Sequence, residues 1–279
     1  MNLIDVSARL VYEVYDQTRF LFHIAAMKNP HQNIVSESLE VSPQSNVQAM
    51  KRQAGGGNRL HRLVVPGGST LTVSYQARVE LSQHHADPSN LPEADFAELP
   101  ASVLPYLNPS RYCESDRLMR FAWEEFGQLQ PGYTRVQAIV NWVYRQLSYT
   151  PGSTGPSTTA CDVLLQRTGV CRDYAHLAIA LCRAMGVPAR YVSGYAVDLQ
   201  PPDFHGFMEA WLGDDWYLFD ATRLAPVTGL VRIGAGRDAA DVSFATLIGN
   251  AVSQAPAVSA TLHQGTADEL NDADAVSGA

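Results

Sequence analysis

Residues 168–186, TGVCRDYAHLAIALCRAMG, decide the fold. From Cys171, the residues Tyr174, Leu177, Ala178, Leu181, Cys182 and Met185 recur three and four apart, which makes them one face of a helix. Cys171 stands in the first turn, at the edge of that face. A sulfur there meets unpaired backbone N–H groups and the positive end of the helix dipole, a setting that favours the thiolate. Gly169 permits a tight entry into the helix. His176 lies five residues on, about 140° round the helix, and cannot meet the sulfur. It reads as a packing residue.

A base for Cys171 must come from elsewhere, and His205 and Asp220 are the candidates. After Gly186-Val187-Pro188 the period changes to that of strands: ARYVSGYAVDL, then HGFMEAWL, a turn at Gly213-Asp214-Asp215, and WYLFDAT. If Leu212 and Gly213 form a two-residue turn, His205 lies directly opposite Asp220. If Gly213 and Asp214 form it, the two are diagonal neighbours. Both registers put them on one face of the hairpin, and a one-residue slip would separate them. The carboxylate can then orient the imidazole, and the imidazole can serve the sulfur, as in an acyl-transfer triad.

Upstream, Ser115 or Asp116 starts a helix through Phe126. Thr134 caps TRVQAIVNWVYRQLSY, and Thr158 or Thr159 starts a short helix through Leu165. The first 82 residues are mostly period two, with strand patterns such as LIDVSARLVYEV, NVQAM and STLTVSYQARVEL between turn signals that include Gly55–Asn58. They read as an antiparallel β-sandwich domain. Residues 83–114 read as a linker, 115–264 as a second, catalytic domain, and 265–279 as a frayed tail.

The chain has 279 residues and a formal net charge of −8, with no long basic run, which argues against nucleic acid as a partner. No 18-residue apolar window suggests a membrane span, and the N-terminus lacks the pattern of a signal peptide, so the expected location is the cytoplasm. The four cysteines, Cys113, Cys161, Cys171 and Cys182, show no C-x-x-C spacing and no paired histidines. Neither a zinc site nor a disulfide framework is expected. Cys113, Cys161 and Cys182 read as structural.

The blocks GVCRDYAHL, GVPARYVSGY, HGFMEAWL, WYLFDAT and GRDAADV together resemble the transglutaminase-like cysteine enzyme superfamily, in particular bacterial members with a β-rich N-terminal domain. The resemblance covers about residues 133–242. It implies an α+β, papain-like core with the cysteine helix on an antiparallel sheet. It further implies Cys171 as nucleophile, His205 as general base and acid, and Asp220 as its orienter. Two departures stand out: His205-Gly206-Phe207 replaces the family's usual His-Ala-Trp, and Asp220-Ala221-Thr222 its frequent Asp-Pro-Thr. The implied reaction is amide acyl transfer or hydrolysis through a thioester on Cys171, with a protein or peptide substrate and a primary amine as one acceptor. The Cys171 N–H would be one oxyanion donor, with Tyr149 or nearby loop amides as candidates for the second. No cofactor or metal is required, and no acidic loop has the spacing of a calcium site. A non-catalytic interaction module is the rival reading. An arylamine acetyltransferase-type enzyme is another, against which stands the lack of a basic cluster for the phosphates of an acyl-CoA.

Overall fold

Alternating apolar residues make long strands at the start of the chain. The computed structural model describes residues 2–43, 48–51, 57–264 and 275–278. Its first strands are β1 (Asn2–Val14), β2 (Thr18–Phe22), β3 (Gln32–Ser42), β4 (Gln48–Lys51), β5 (Arg59–Val65) and β6 (Ser69–Leu81). β1 and β6 pair antiparallel from Asn2 opposite Leu81 to Val14 opposite Ser69. Every second residue of each points inward: Ile4, Val6, Ala8 and Leu10 are buried, as are Leu71, Val73, Tyr75 and Val79. That alternation is the period of a half-buried strand. Phe20 and Phe22 of β2 and Leu63 and Val65 of β5 face them across the sandwich core. Of the expected NVQAM strand, residues 46 and 47 lie outside the described residues, as do residues 55 and 56 of the glycine turn.

The middle of the chain holds β7 (His84–Ala86), α1 (Ser115–Phe126), α2 (Tyr133–Gln146), β8 (Ser148–Tyr149), α3 (Ala160–Gln166), β9 (Thr168–Gly169) and α4 (Cys171–Ala184). Two of the expected caps differ. α1 begins at Ser115 with Glu114 in the cap position. α2 is entered through Gly132 at a φ of 121°, without a side-chain cap. The Gly132 N–H donates to Glu93 Oε1 at 3.1 Å, and Thr134 lies inside the first turn rather than at the cap. α3 is capped as read: Thr159 and Asp162 satisfy each other's backbone N–H groups.

The strands β10 (Ala189–Ala196), β11 (Phe204–Leu212), β12 (Asp215–Phe219) and β13 (Leu230–Gly236) form an antiparallel sheet. α4 lies on it. Leu177, Ala178, Leu181 and Cys182 pack in one cluster with Ala189, Tyr191, Met208 and Ala210, all buried. The chain then gives β14 (Ala245–Ile248), β15 (Ala251–Ser253), β16 (Ala257–Gln264) and β17 (Ala275–Ser277). The sheet order is β13-β10-β11-β12-β17-β7.

The ends of the chain depart from the sequence reading. β14 pairs with β2, and β15 and β16 pair with β1, so residues 245–264 complete the sandwich and not the second unit. The tail is not frayed at its end: Ala275, Val276 and Ser277 are buried. β17 fills the space between β12 and β7, and Ser277 Oγ donates to Asp215 Oδ2 at 2.6 Å. Residues 265–274 of the expected tail lie outside the described residues. The segment 83–114 is fastened along its length, because Glu93 pairs with Arg135 at 2.7 Å and the buried Arg183 donates to the Asn108 carbonyl and to Ser110 Oγ.

Side-chain amides join the sandwich to the central sheet. Gln32 accepts from the Arg232 N–H and donates to the Arg232 carbonyl, both at 2.8 Å. Asn58 does the same to Ala235 at 3.0 and 2.8 Å. Tyr195 donates to the Ile24 carbonyl at 2.7 Å. Among the described residues, no helix is long and apolar enough to cross a membrane.

Candidate active site

Cys171 is the first residue of α4, as its place in the sequence suggests. The entry to the helix is held by Asp173, which is fully buried. One oxygen of its carboxylate accepts from the Val170 N–H at 3.0 Å and from Thr154 Oγ1 at 2.5 Å, and the other accepts from the Arg172 guanidinium at 2.8 Å. This also explains Gly169. A Cβ there would sit 2.7 Å from the Asp173 Cβ, so the glycine makes room for the aspartate. Of the four free thiols only Cys171 is half-exposed; Cys113, Cys161 and Cys182 are buried. Burial pushes the Cys113 thiol up to about 12. Burial and the hydrogen bond to Glu114 do the same to Cys161, and burial raises Cys182 further. All three stay protonated at neutral pH.

The hairpin takes the Gly213-Asp214 turn, with Met208 opposite Phe219 and Leu212 opposite Asp215. Carried past the end of β12, that register sets Asp220 opposite Phe207 and diagonal to His205, and Thr222 opposite His205. His205 Nε2 meets Asp220 Oδ2 at 3.1 Å, and Thr222 Oγ1 lies 3.3 Å from the same nitrogen. Thr222 also donates to Asp220 Oδ1 through its hydroxyl (2.7 Å) and its N–H (2.8 Å), while the N–H groups of Leu224 and Ala225 donate to Oδ2. The carboxylate is thereby clamped in one orientation. Burial opposes its ionisation, but His205 and the Thr222 bonds outweigh burial and hold it below the usual carboxylate range.

The other ring nitrogen of His205, Nδ1, has no hydrogen-bond partner among the described residues, and Cys171 lies near enough to act on the ring electrostatically. Burial would lower the pKa of the imidazole. The bond to Asp220, and the negative charge of Cys171 and Asp220, reverse this and lift it to about 10. The structure therefore pairs His205 with Asp220 and sets Cys171 near that pair. Tyr149 is close by: burial, and after it the charge of Cys171, push its phenol well above the usual range. It arrives there because β8 pairs in parallel with β9, which sets Tyr149 beside Gly169 just ahead of α4.

The departures at residues 206 and 207 shape the pocket. A Cβ on Gly206 would lie 2.4 Å from the Tyr191 hydroxyl, so the glycine leaves space for that tyrosine. The Phe207 ring meets the His205 ring edge-on at 4.5 Å. His176 lies apart from these residues. It is buried, stacks on Tyr112 at 5.1 Å and accepts from the Ala239 N–H at 3.1 Å. No group of three or more His, Cys, Asp or Glu among the described residues is placed to hold a metal ion.

Cys171 opens into a cleft of about 580 Å³. One wall comes from the second unit, with Arg172, Tyr191 and Asp203; the other comes from the sandwich and its returning strands, with Tyr12, Leu247 and Pro256. Sequence reasoning missed Asp173, Asp203 and Thr222. A signal existed for Thr222, since the register that makes His205 and Asp220 diagonal sets it against the imidazole.

Residues 122–221 match the core of the transglutaminase-like superfamily, and residues 2–102 match the bacterial transglutaminase N-terminal domain. The crystal structure of a candidate cysteine protease from Cytophaga hutchinsonii is similar over 99% of this chain and 97% of its own, at 39% identity and a TM-score of 0.94. The uncharacterized protein ML0607 of Mycobacterium leprae is 38% identical over 120 residues, which span 39% of this chain but only 42% of that protein. The uncharacterized protein Rv2569c of Mycobacterium tuberculosis is 29% identical over 237 residues, 76% of this chain and 75% of that one. A likeness of this extent, in a chain that sets a cysteine at a helix start beside a histidine and an aspartate of one hairpin, identifies the protein as a member of the transglutaminase-like superfamily.

Proposed function

We propose that the protein is a cysteine-dependent acyltransferase or hydrolase acting on carboxamides of proteins or peptides. The observation that carries this reading is the pairing of His205 Nε2 with Asp220 at 3.1 Å, with Cys171 at the start of α4 near enough to act on the imidazole electrostatically. With its proton already held on His205, Cys171 Sγ attacks the amide carbonyl as the thiolate. The Cys171 N–H and the Tyr149 hydroxyl stabilise the oxyanion. His205 then returns the proton to the departing nitrogen, the C–N bond breaks, and a thioester remains on Cys171. Water resolves it to an acid, or a primary amine to a new amide, with His205 taking the proton of the attacking group. Asp220 stays ionised and keeps the imidazole in register. The Cytophaga relative, a candidate protease, supports the hydrolytic branch.

A mass-spectrometric screen of peptide pools, with and without a primary amine, tests the reading. Cleavage, a one-dalton deamidation or a mass gain equal to the amine each identifies one outcome of the same thioester. Cys171→Ala is expected to reduce the rate by about three orders of magnitude or more, and Asp220→Asn by about two or more. Equal, slow labelling of all four thiols by iodoacetamide at neutral pH, with no turnover of any pool, would leave a binding module and overturn the proposal.

A further inference from the structure

Asp203 immediately precedes β11 and lines the cleft that holds Cys171. Its carboxylate accepts from the Phe204 N–H at 2.7 Å, which fixes its direction at the cleft rim. It shares this cleft with Cys171, and its charge acts on His205 and Tyr149. Among the described residues no lysine or arginine pairs with it. The nearby Arg172 is already bound to Asp173 and to the Gly155 carbonyl. Asp203 also lines a neighbouring groove of about 440 Å³ between residues 196–202 and β16. It thus stands where two depressions meet, with one side of an extended peptide's path on each side of it.

The His205 ring, whose charge acts on Asp203, is itself bound to Asp220, so the Asp203 carboxylate at the mouth of the site is left to select positive charge. We propose that Asp203 is the specificity residue of this site, receiving an ammonium or guanidinium that the acyl donor carries beside the carboxamide attacked by Cys171. This rests on the acyl-transfer reading above. The cation belongs to the donor and not to the acceptor. An acceptor amine must lose its proton to attack, and an ion pair with Asp203 would keep it protonated.

Three methanethiosulfonates, bearing an ammonium, a methyl group and a sulfonate, test the proposal by their rates of reaction at Cys171, followed on the Cys171 peptide by mass spectrometry. Each rate is divided by that for glutathione, which removes the reagents' intrinsic reactivity. The wild type is expected to favour the cationic reagent over the neutral one, and the neutral over the anionic. Asp203→Asn lowers the cationic preference by about threefold or more, an effect sized for a partly exposed carboxylate. Asp203→Glu retains it, and Glu98→Gln, a remote exposed carboxylate, leaves it unchanged. In the peptide screen, Asp203→Asn shifts the preferred donors from lysine- and arginine-bearing to uncharged. A cationic preference equal in wild type and Asp203→Asn overturns this inference alone. Failure of all three reagents to label Cys171 overturns it together with the acyl-transfer reading.

Discussion

His176 shows how one buried side chain sets a response to acid. Its Nε2 accepts a hydrogen bond from the Ala239 N–H, which only a neutral ring can do. Burial holds its pKa down at about 3, with the positive charge of Arg172 acting in the same direction. In the unfolded chain the ring takes a proton near pH 6.5, so between 6.5 and 3 the unfolded state binds more protons than the folded one. Stability therefore falls as pH drops through that window, by up to about 1.4 kcal/mol per pH unit from this residue. His176→Phe is expected to flatten the slope of unfolding free energy against pH between 6.5 and 3, as measured by denaturant titration. It would cost about 1–3 kcal/mol at pH 7, because the Ala239 N–H loses its acceptor. An unchanged slope would refute this. The sequence showed that His176 points away from Cys171, because that follows from helical pitch alone. It did not show the partners, since Tyr112 and Ala239 reach the ring from segments far along the chain.

Among the elements, α4 and its entry carry the most consequence. The spacing of apolar residues from Cys171 to Met185 made the helix and its buried face legible, and the strand periodicity made the hairpin legible. Register was legible only as two alternatives, because both place His205 and Asp220 on one face. The turn that occurs leaves Gly213 at a φ of 56°, a left-handed conformation that glycine adopts without penalty. The role of Gly169 was not legible, because it depends on where the Asp173 side chain lies. Gly169→Ala would push a methyl group against the Asp173 Cβ and disturb the bond to the Val170 N–H that begins the helix. The expected cost is about 1–3 kcal/mol in denaturant unfolding. Cys171 would be labelled at a changed rate, since the displacement lies two residues before the sulfur. A variant with wild-type stability and labelling would show that the aspartate moves aside freely.

At the scale of the whole molecule, two units with separate strand patterns were legible, but the way they share segments was not. β14, β15 and β16 follow the hairpin in sequence and serve the sandwich in space. β17 lies close to the C-terminus yet inserts between β12 and β7. Pairings between remote segments leave no local periodicity to read. The amides of Gln32 and Asn58 carry one more consequence. β13 is the outermost strand of the central sheet, and a bare margin of that kind can recruit a strand from another molecule. Each of the two amides offers the donor and the acceptor of a peptide group, so together they mimic an adjoining strand without adding one. Gln32→Leu with Asn58→Leu would leave the Arg232 N–H and the N–H and carbonyl of Ala235 without their partners, while the Arg232 carbonyl keeps the Met27 N–H at 2.8 Å. Light scattering across a concentration series is expected to show self-association of the double variant while the wild type stays at constant mass, and equal behaviour of the two would show that other contacts shield the margin. The two polar side chains thus act as a guard against templated aggregation, a task separate from any chemistry at the cysteine.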